Sequence, residues 1–297
     1  MDSDITIRGV HPDEWDAFSR VAELVFGDSM TDERRARAKA SFEFDRGMTA
    51  VDDGELVATG GAYSLELTLP GLTTIPVGGL TWISVLPTHR RRGILRRMVE
   101  RHFDDVLQRG EPASILIASE SSIYGRFGYG PATQLVNYQI DPHHAAFARE
   151  VGGHGRVRAV GGDEALQLLP AVFDRVRRGQ PGEITRGQEW WSTVLGDPEW
   201  SRHGGTAAVN LVYEQAPGQA EGYARYRLRS RWEGMLAAST VMVEEVMALT
   251  PQAHATLWRF LLDVDLSANL ELFHGRVDEP LRWRLAATAW PIGWCWR

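Results

Sequence analysis

Pro87-Thr88-His89-Arg90-Arg91-Arg92-Gly93-Ile94-Leu95-Arg96 joins a strand pattern to a regular helix pattern. Ahead of it, Ile75 to Val85 reads as an extended apolar run. Behind it, Ile94, Leu95, Met98, Val99, Phe103, Val106 and Leu107 recur at helical spacing, while Arg96, Arg97, Glu100, Arg101, Asp104, Asp105 and Gln108 take the opposite face. Gly110 sits where a helix-terminating glycine belongs. Ser114 to Ala118 is then a short apolar run suited to a buried strand. Strand, basic turn, amphipathic helix and strand in that order predict a βαβ unit.

Towards the N-terminus, Ile5 to Arg8 alternates as a strand and Trp15 to Phe26 carries a helix pattern. Met48 to Val51 and Leu56 to Tyr63 flank Asp52-Asp53-Gly54, a hairpin signal. Ser64 to Leu69 continues the alternation, and Pro70-Gly71 turns the chain back into Ile75 to Val85. Beyond Gly152-Gly153-His154-Gly155, read as a linker, the order partly repeats. A strand (Val157 to Val160), a helix (Asp163 to Arg178), a helix around Trp190-Trp191 and strands near Ala207 to Val212, Gly222 to Leu228 and Met235 to Val243 follow. Thr250-Pro251 opens another helix, and Leu270 to Phe273 reads as a strand. This half has no basic glycine turn. The fold class is therefore α/β with a mixed (α+β) sheet, in domains 1–150 and 151–285. Residues 286–297 form an unpatterned tail with Trp290, Trp294 and Trp296, read as the end of a truncated or frame-shifted chain.

Composition removes many alternatives. The 297 residues are 43% hydrophobic and 24% charged, with a mean hydropathy of -0.26, as in soluble globular proteins. The acidic start and the lack of a long apolar run predict neither a secretory leader nor a membrane span, and so a cytoplasmic protein. Lys39 is the only lysine, so a P-loop is excluded and Schiff-base chemistry has no evident residue. A single cysteine, Cys295, excludes disulfides within the chain and cysteine zinc sites, and no metal is expected. The net charge of -7 disfavours nucleic acid and suits a cationic partner.

The basic turn has a chemistry of its own. Free N–H groups at a helix start favour an anion, glycine permits close approach, and arginines add bidentate contacts to phosphate. The pattern suits a pyrophosphate. Its Arg-x-x-Gly-x core resembles the acetyl-CoA loop of the GCN5-related N-acetyltransferases (GNAT). With Ala118-Ser119-Glu120 and Ile123-Tyr124-Gly125-Arg126-Phe127-Gly128-Tyr129-Gly130-Pro131, it resembles the Eis (enhanced intracellular survival) family in particular. The likeness runs over about residues 1 to 285. It implies tandem GNAT folds and transfer of acetyl from acetyl-CoA to amines of aminoglycosides and other polycations.

The resemblance assigns roles position by position. Ile83, Ser84 and Val85 are a splayed strand that pairs with pantetheine. Arg91, Arg92, Gly93, Ile94, Leu95 and Arg96 hold the pyrophosphate, and Ser119 and Glu120 line the cofactor from the next strand. Tyr124 is the general acid for the departing thiolate; a free phenol titrates near 10 and is neutral at pH 7. Phe26 and Asp28 match a substrate pocket. Leu95 stands where simpler relatives carry Gly or Ala. The family continues into a sterol-carrier-protein-like domain, expected to be missing here, and uses its own C-terminal carboxylate as base. It assembles as a hexamer, so a homo-oligomer is expected. Two other readings stay open: an acyl-CoA-binding homologue without turnover, and a protein lysine acetyltransferase. His143-His144 reads as a surface pair rather than a metal site, and core packing is the expected place of Trp190 and Trp191.

Overall fold

Asp53 and Gly54 take left-handed backbone conformations (φ 48° and 86°), which a two-residue hairpin turn requires, and they fix the first register of the molecule. Asp52 pairs with Glu55 across that turn. The computed structural model describes residues 5–153, 155–286 and 292–293. His154 of the expected linker, most of the expected tail and Cys295 lie outside the described residues. The chain forms two units.

The first unit holds β1 (Thr6–Gly9), α1 (Trp15–Phe26), α2 (Asp32–Ser41), β2 (Met48–Asp52), β3 (Glu55–Thr68), β4 (Thr74–Val85), α3 (Ile94–Gln108), β5 (Ala113–Ile115) and α4 (Ser121–Tyr124). Its sheet runs β1-β2-β3-β4-β5; the first four strands are antiparallel and β5 is parallel to β4. This is the predicted βαβ unit. The apolar stripe of α3 buries Ile94, Met98, Val99 and Val106. The first three of these share a cluster with Met48, Val57 and Leu80. Trp15, Phe18 and Phe42 form a separate aromatic cluster, with Trp82 packed against it.

A buried ion pair ties the sheet to the end of α3. The Arg46 guanidinium, fully buried, makes two bonds of 2.6 and 2.7 Å to Glu111, and its Nε donates to Asp105 at 3.0 Å. Gly78 of β4 passes beside it: a Cβ there would lie 2.9 Å from Glu111 Oε2 and 2.6 Å from Val106. Only glycine lets the strand approach so closely.

The first unit also includes residues 181–190. Thr68 N–H donates to Glu183 C=O, Gly182 N–H to Thr68 C=O and Thr185 N–H to Glu66 C=O, at 2.8 to 3.0 Å. Leu67 and Ile184 are antiparallel partners.

The second unit has β6 (Leu135–Ile140), β7 (Arg156–Val160), α5 (Gly162–Arg177), the end of α6 (Gln188–Gly196), β8 (Val209–Glu214), β9 (Ala220–Arg229), a small hairpin β10 (Trp232–Glu233) and β11 (Leu236–Ala237), β12 (Ser239–Ala248), α7 (Pro251–Leu262), β13 (Ser267–Arg276) and β14 (Ile292–Gly293). The larger sheet runs β14-β6-β13-β12-β9-β8-β7, with β13 parallel to β12. Its cores hold Leu257, Trp258 and Leu261 of α7 in one cluster and Leu169, Val172 and Phe173 of α5 in another. Strand β6, within the expected first domain of 1–150, pairs with β13 of this second sheet. Trp191 is buried against Phe173 and Tyr223, whereas Trp190 is exposed beneath the Arg186 guanidinium. Among the described residues no helix is long and apolar enough to cross a membrane.

Candidate active site

Strand β5 pairs with β4 only from Val77 to Gly79. From Leu80 to Val85, β4 keeps its pairing with β3 and has no strand on the other side among the described residues. Backbone N–H and C=O groups of Leu80–Val85 on that side therefore have no strand partner among the described residues. Ile83, Ser84 and Val85, the residues expected to meet pantetheine, line this segment.

The same segment is bulged. Trp82 and Ile83 oppose Gly60 alone, because Thr81 pairs with Gly61 and Ser84 with Thr59. Trp82 takes φ 56°, a left-handed conformation that costs a bulky residue of order 1–3 kcal/mol and clusters at functional sites. The Thr59 hydroxyl donates to Trp82 C=O at 2.6 Å and accepts from Ser84 Oγ at 2.5 Å, locking the bulge from below. Nothing in the local sequence pattern foretold this bulge.

β4 leads into the basic turn. Arg91 and Gly93 both have positive φ (65° and 76°), folding the backbone around Arg92 into a concavity of the kind that binds anions. Gly93 occupies the N-cap of α3 without a side-chain cap, and the first turn of α3 has no acidic residue. The donors of Ile94 and Leu95 are thus left for a ligand, with the positive end of the helix dipole behind them. Arg91 and Arg96 are exposed and make no ion pair among the described residues. Arg92 differs: its Nη1 donates to Asp52 Oδ2 at 2.9 Å, and His89 Nε2 lies 3.1 Å from the same oxygen. Asp52, buried at the β2–β3 hairpin, anchors the turn through both.

Ser119 and Glu120 do not lie on a strand. β5 ends at Ile115, earlier than the apolar run to Ala118 suggests, and Ser119 and Glu120 are exposed in the bend that enters α4. Ile117 of that run is almost fully exposed, on the side where β4 and β5 have parted.

Tyr124 ends α4. A 3₁₀ turn over Gly125–Phe127 and Gly128 at φ 93° wrap the chain back, so that Tyr129 N–H reaches Tyr124 C=O at 3.4 Å. The two phenol rings meet edge to face, 5.9 Å between centroids. Tyr124 packs on the same cluster as Ile83 and Val85. Burial alone raises its pKa above the ordinary 10, so it is a protonated donor across the neutral range.

Phe26 and Asp28 lie where α1 ends, on either side of Gly27 in a left-handed C-cap. Phe26 is exposed. Asp28 already has a cation: Arg34 of α2 approaches both carboxylate oxygens, at 2.8 and 3.1 Å, and Ser29 N–H donates to it. Those contacts hold its pKa below the usual carboxylate value, the Arg34 hydrogen bond foremost. His143 and His144 are exposed, with His144 paired to Asp141. Among the described residues, no three His, Cys, Asp or Glu side chains group as a metal site.

Residues 6–132 and 182–296 each match an acetyltransferase (GNAT) domain. An uncharacterised N-acetyltransferase of Streptomyces avermitilis is 35% identical over 275 residues, 92% of this chain and 67% of the relative. N-acetyltransferase Eis of Mycobacterium bovis is 32% identical, over 98% of this chain and 73% of the relative. The crystal structure of Eis1 from Mycobacterium abscessus superposes with a TM-score of 0.84 at 28% identity, covering 97% of this chain and 71% of Eis1. A splayed strand, an uncapped helix start and two GNAT domains converge on one assignment: the chain belongs to the Eis family of GCN5-related N-acetyltransferases.

Proposed function

We propose that this acetyltransferase moves the acetyl group of acetyl-CoA onto amines of small polycationic acceptors such as aminoglycosides, and that Tyr124 is its general acid. The observation that carries the reading is the continuity of the first unit's site. An open β4 edge leads to an uncapped, arginine-flanked helix start, and Tyr124 sits on the apolar cluster that supports that edge.

Backbone groups of Ile83 to Val85 pair with pantetheine as a missing strand would. Arg91, Arg96 and the N–H groups after Gly93 take the pyrophosphate. Arg92, bound to Asp52, holds the turn in shape. Ser119 and Glu120 border the cofactor from the bend before α4. A neutral acceptor amine attacks the thioester carbonyl, forming the C–N bond. N–H groups at the bulge stabilise the developing oxyanion. The tetrahedral intermediate then collapses with cleavage of the C–S bond; Tyr124 gives its proton to the thiolate, and the amine proton leaves to solvent or a base. The net charge of -7 favours a cationic acceptor. With Asp28 already neutralised by Arg34, acceptor binding there requires that pair to open or to be shared. A homo-oligomer in the cytoplasm fits the family reading, and size-exclusion chromatography with light scattering tests the assembly.

The test is release of CoA thiol from acetyl-CoA with a panel of aminoglycosides and polyamines, for wild type and Tyr124→Phe. Turnover abolished by the substitution supports the reading. Calorimetric acetyl-CoA binding without turnover on any acceptor replaces it with a binding protein. Turnover on lysine peptides alone changes the acceptor class.

A further inference from the structure

Ser114 sits on β5 at the point where β4 and β5 begin to part, paired with Gly78. Its hydroxyl has three partners: Gly78 C=O at 3.1 Å, His102 Nε2 at 2.7 Å and Tyr129 Oη at 2.6 Å. A serine hydroxyl offers one proton and accepts two. Gly78 C=O only accepts, so the arrangement that satisfies all three has Ser114 donating to Gly78 and accepting from both His102 Nε2–H and Tyr129 O–H. His102, on α3, is buried and stays neutral: its pKa is pushed down to about 4, mainly by desolvation and then by Arg46. A neutral imidazole protonated on Nε2 suits this place.

Tyr129 is thereby fixed at both ends. Its hydroxyl is tied to Ser114, and its ring meets both Phe103, stacked at 5.7 Å with the planes 30° apart, and the Tyr124 ring. The Tyr124 hydroxyl makes no hydrogen bond among the described residues, so packing and the backbone wrap hold this side chain. The Tyr129 ring is thus a fixed wall against which the Tyr124 ring is set, 5.9 Å away and at 79°.

We propose that Tyr129 is a positioning residue for Tyr124, and that Ser114, completed by His102, is the peg that holds it, so the parting of β4 and β5 and the aim of the acid are mechanically one. This rests on the acid role proposed for Tyr124. Edge-to-face aromatic contacts have preferred geometry, and small misplacements of reacting groups lower turnover steeply.

The experiment is steady-state kinetics of the full chain with acetyl-CoA and its best acceptor, for Tyr129→Phe, Ser114→Ala, Tyr124→Phe and the double variant Tyr124→Phe/Tyr129→Phe. Tyr129→Phe keeps the ring and frees it from its peg; Ser114→Ala removes the peg and leaves the ring. Tyr129→Phe and Ser114→Ala are each expected to lower kcat about tenfold while the KM for acetyl-CoA stays within about twofold. In the Tyr124→Phe background, Tyr129→Phe is expected to lower kcat no further, as it acts through Tyr124. Unchanged kcat in both Tyr129→Phe and Ser114→Ala overturns the proposal. So does a rise in KM alone, or an equal loss of kcat with and without Tyr124. If Tyr124→Phe itself turns over as wild type, the acid reading falls and the proposal with it; if Tyr124→Phe is inactive while the other two single variants are normal, only the proposal falls. Should Tyr129→Phe fail to fold, Ser114→Ala alone decides by the same kcat and KM criteria.

Discussion

In both units a strand loses its parallel neighbour partway along, bulges, and feeds a turn into a helix: β4 into α3, and β12 into α7. β12 pairs with β13 only from Ser239 to Val243, and its register against β9 slips at Glu244. The helix starts differ in kind. α3 opens on Gly93 with no side-chain cap and arginines around it. α7 opens on Thr250, whose hydroxyl accepts from Ala253 N–H, followed by Pro251, which has no N–H to offer. The Thr250 hydroxyl donates to Glu221, placing a carboxylate beside the helix start. The bulges differ too. Thr59 and Ser84 hydroxyls tie the first, while Glu244 at the second is bound to the buried Arg225 and Arg227, which Asp197 also pairs. The same topology thus leaves an uncapped, arginine-flanked helix start in one unit and a self-satisfied one in the other. Fold alone does not set that difference; a few residues at the helix start do.

The comparison can be broken or sharpened by measurement. The largest effect is expected from Tyr124→Phe, which lowers kcat by about two to three orders of magnitude if a general acid is lost. A wild-type rate would strip the first unit of its claimed chemistry. Its burial also predicts that the alkaline limb of the wild-type kcat profile lies above pH 10 and disappears in the variant.

His102 on α3 and His254 on α7 both face inward, one bound to Ser114 and the other to Glu279. His102 titrates near 4 in the folded chain against about 6.5 unfolded, so the unfolded state takes up the proton first. Its contribution is complete above about pH 6.5 and is lost as pH falls towards 4, by up to about 3 kcal/mol. Urea unfolding at pH 7 and pH 5 should show this slope for wild type and a flatter one for His102→Gln.

Next come Arg91→Ala and Arg96→Ala, each expected to raise the KM for acetyl-CoA about tenfold with little change in Tm, since a charge-assisted bond is worth about 1.5–3 kcal/mol. Arg92→Ala should lower Tm as well, because Asp52 loses a partner. Calorimetry of the wild type should find one acetyl-CoA per chain, and a second site would overturn the contrast between the helix starts. The smallest effect belongs to Thr250→Ala: a loss of about 1 kcal/mol of stability for a removed cap, with the KM for acetyl-CoA unmoved.

Legibility from sequence followed the range of the forces involved. The α3 face, the Asp53-Gly54 turn and the Thr250-Pro251 helix start are local signals, and each appears where the periodicity or the capping residue predicts. α2 escaped because it buries no residue; its signs were Thr31 followed by Asp32 and Glu33, which carry no apolar period. β5 is shorter than its apolar run because parting from β4 leaves Leu116 to Ala118 without a strand partner. Within the site, the turn and Tyr124 were readable from motif. The Asp52 anchor, the Thr59 lock and the Ser114 hub were not: each joins residues more than ten positions apart through side chains of unremarkable type. The pairing of Asp28 with Arg34 follows from α2 and was hidden with it.

Residues 182–185 close the far end of β3 although they follow the β7 strand and α5 in the chain. A fragment cut at residue 150, where composition suggests a boundary, would leave the N–H and C=O groups of Glu66 to Thr68 bare along an open sheet edge. Such an edge recruits other chains. The first unit is therefore expected to be soluble alone only if the 181–190 segment travels with it, as a graft or an added peptide.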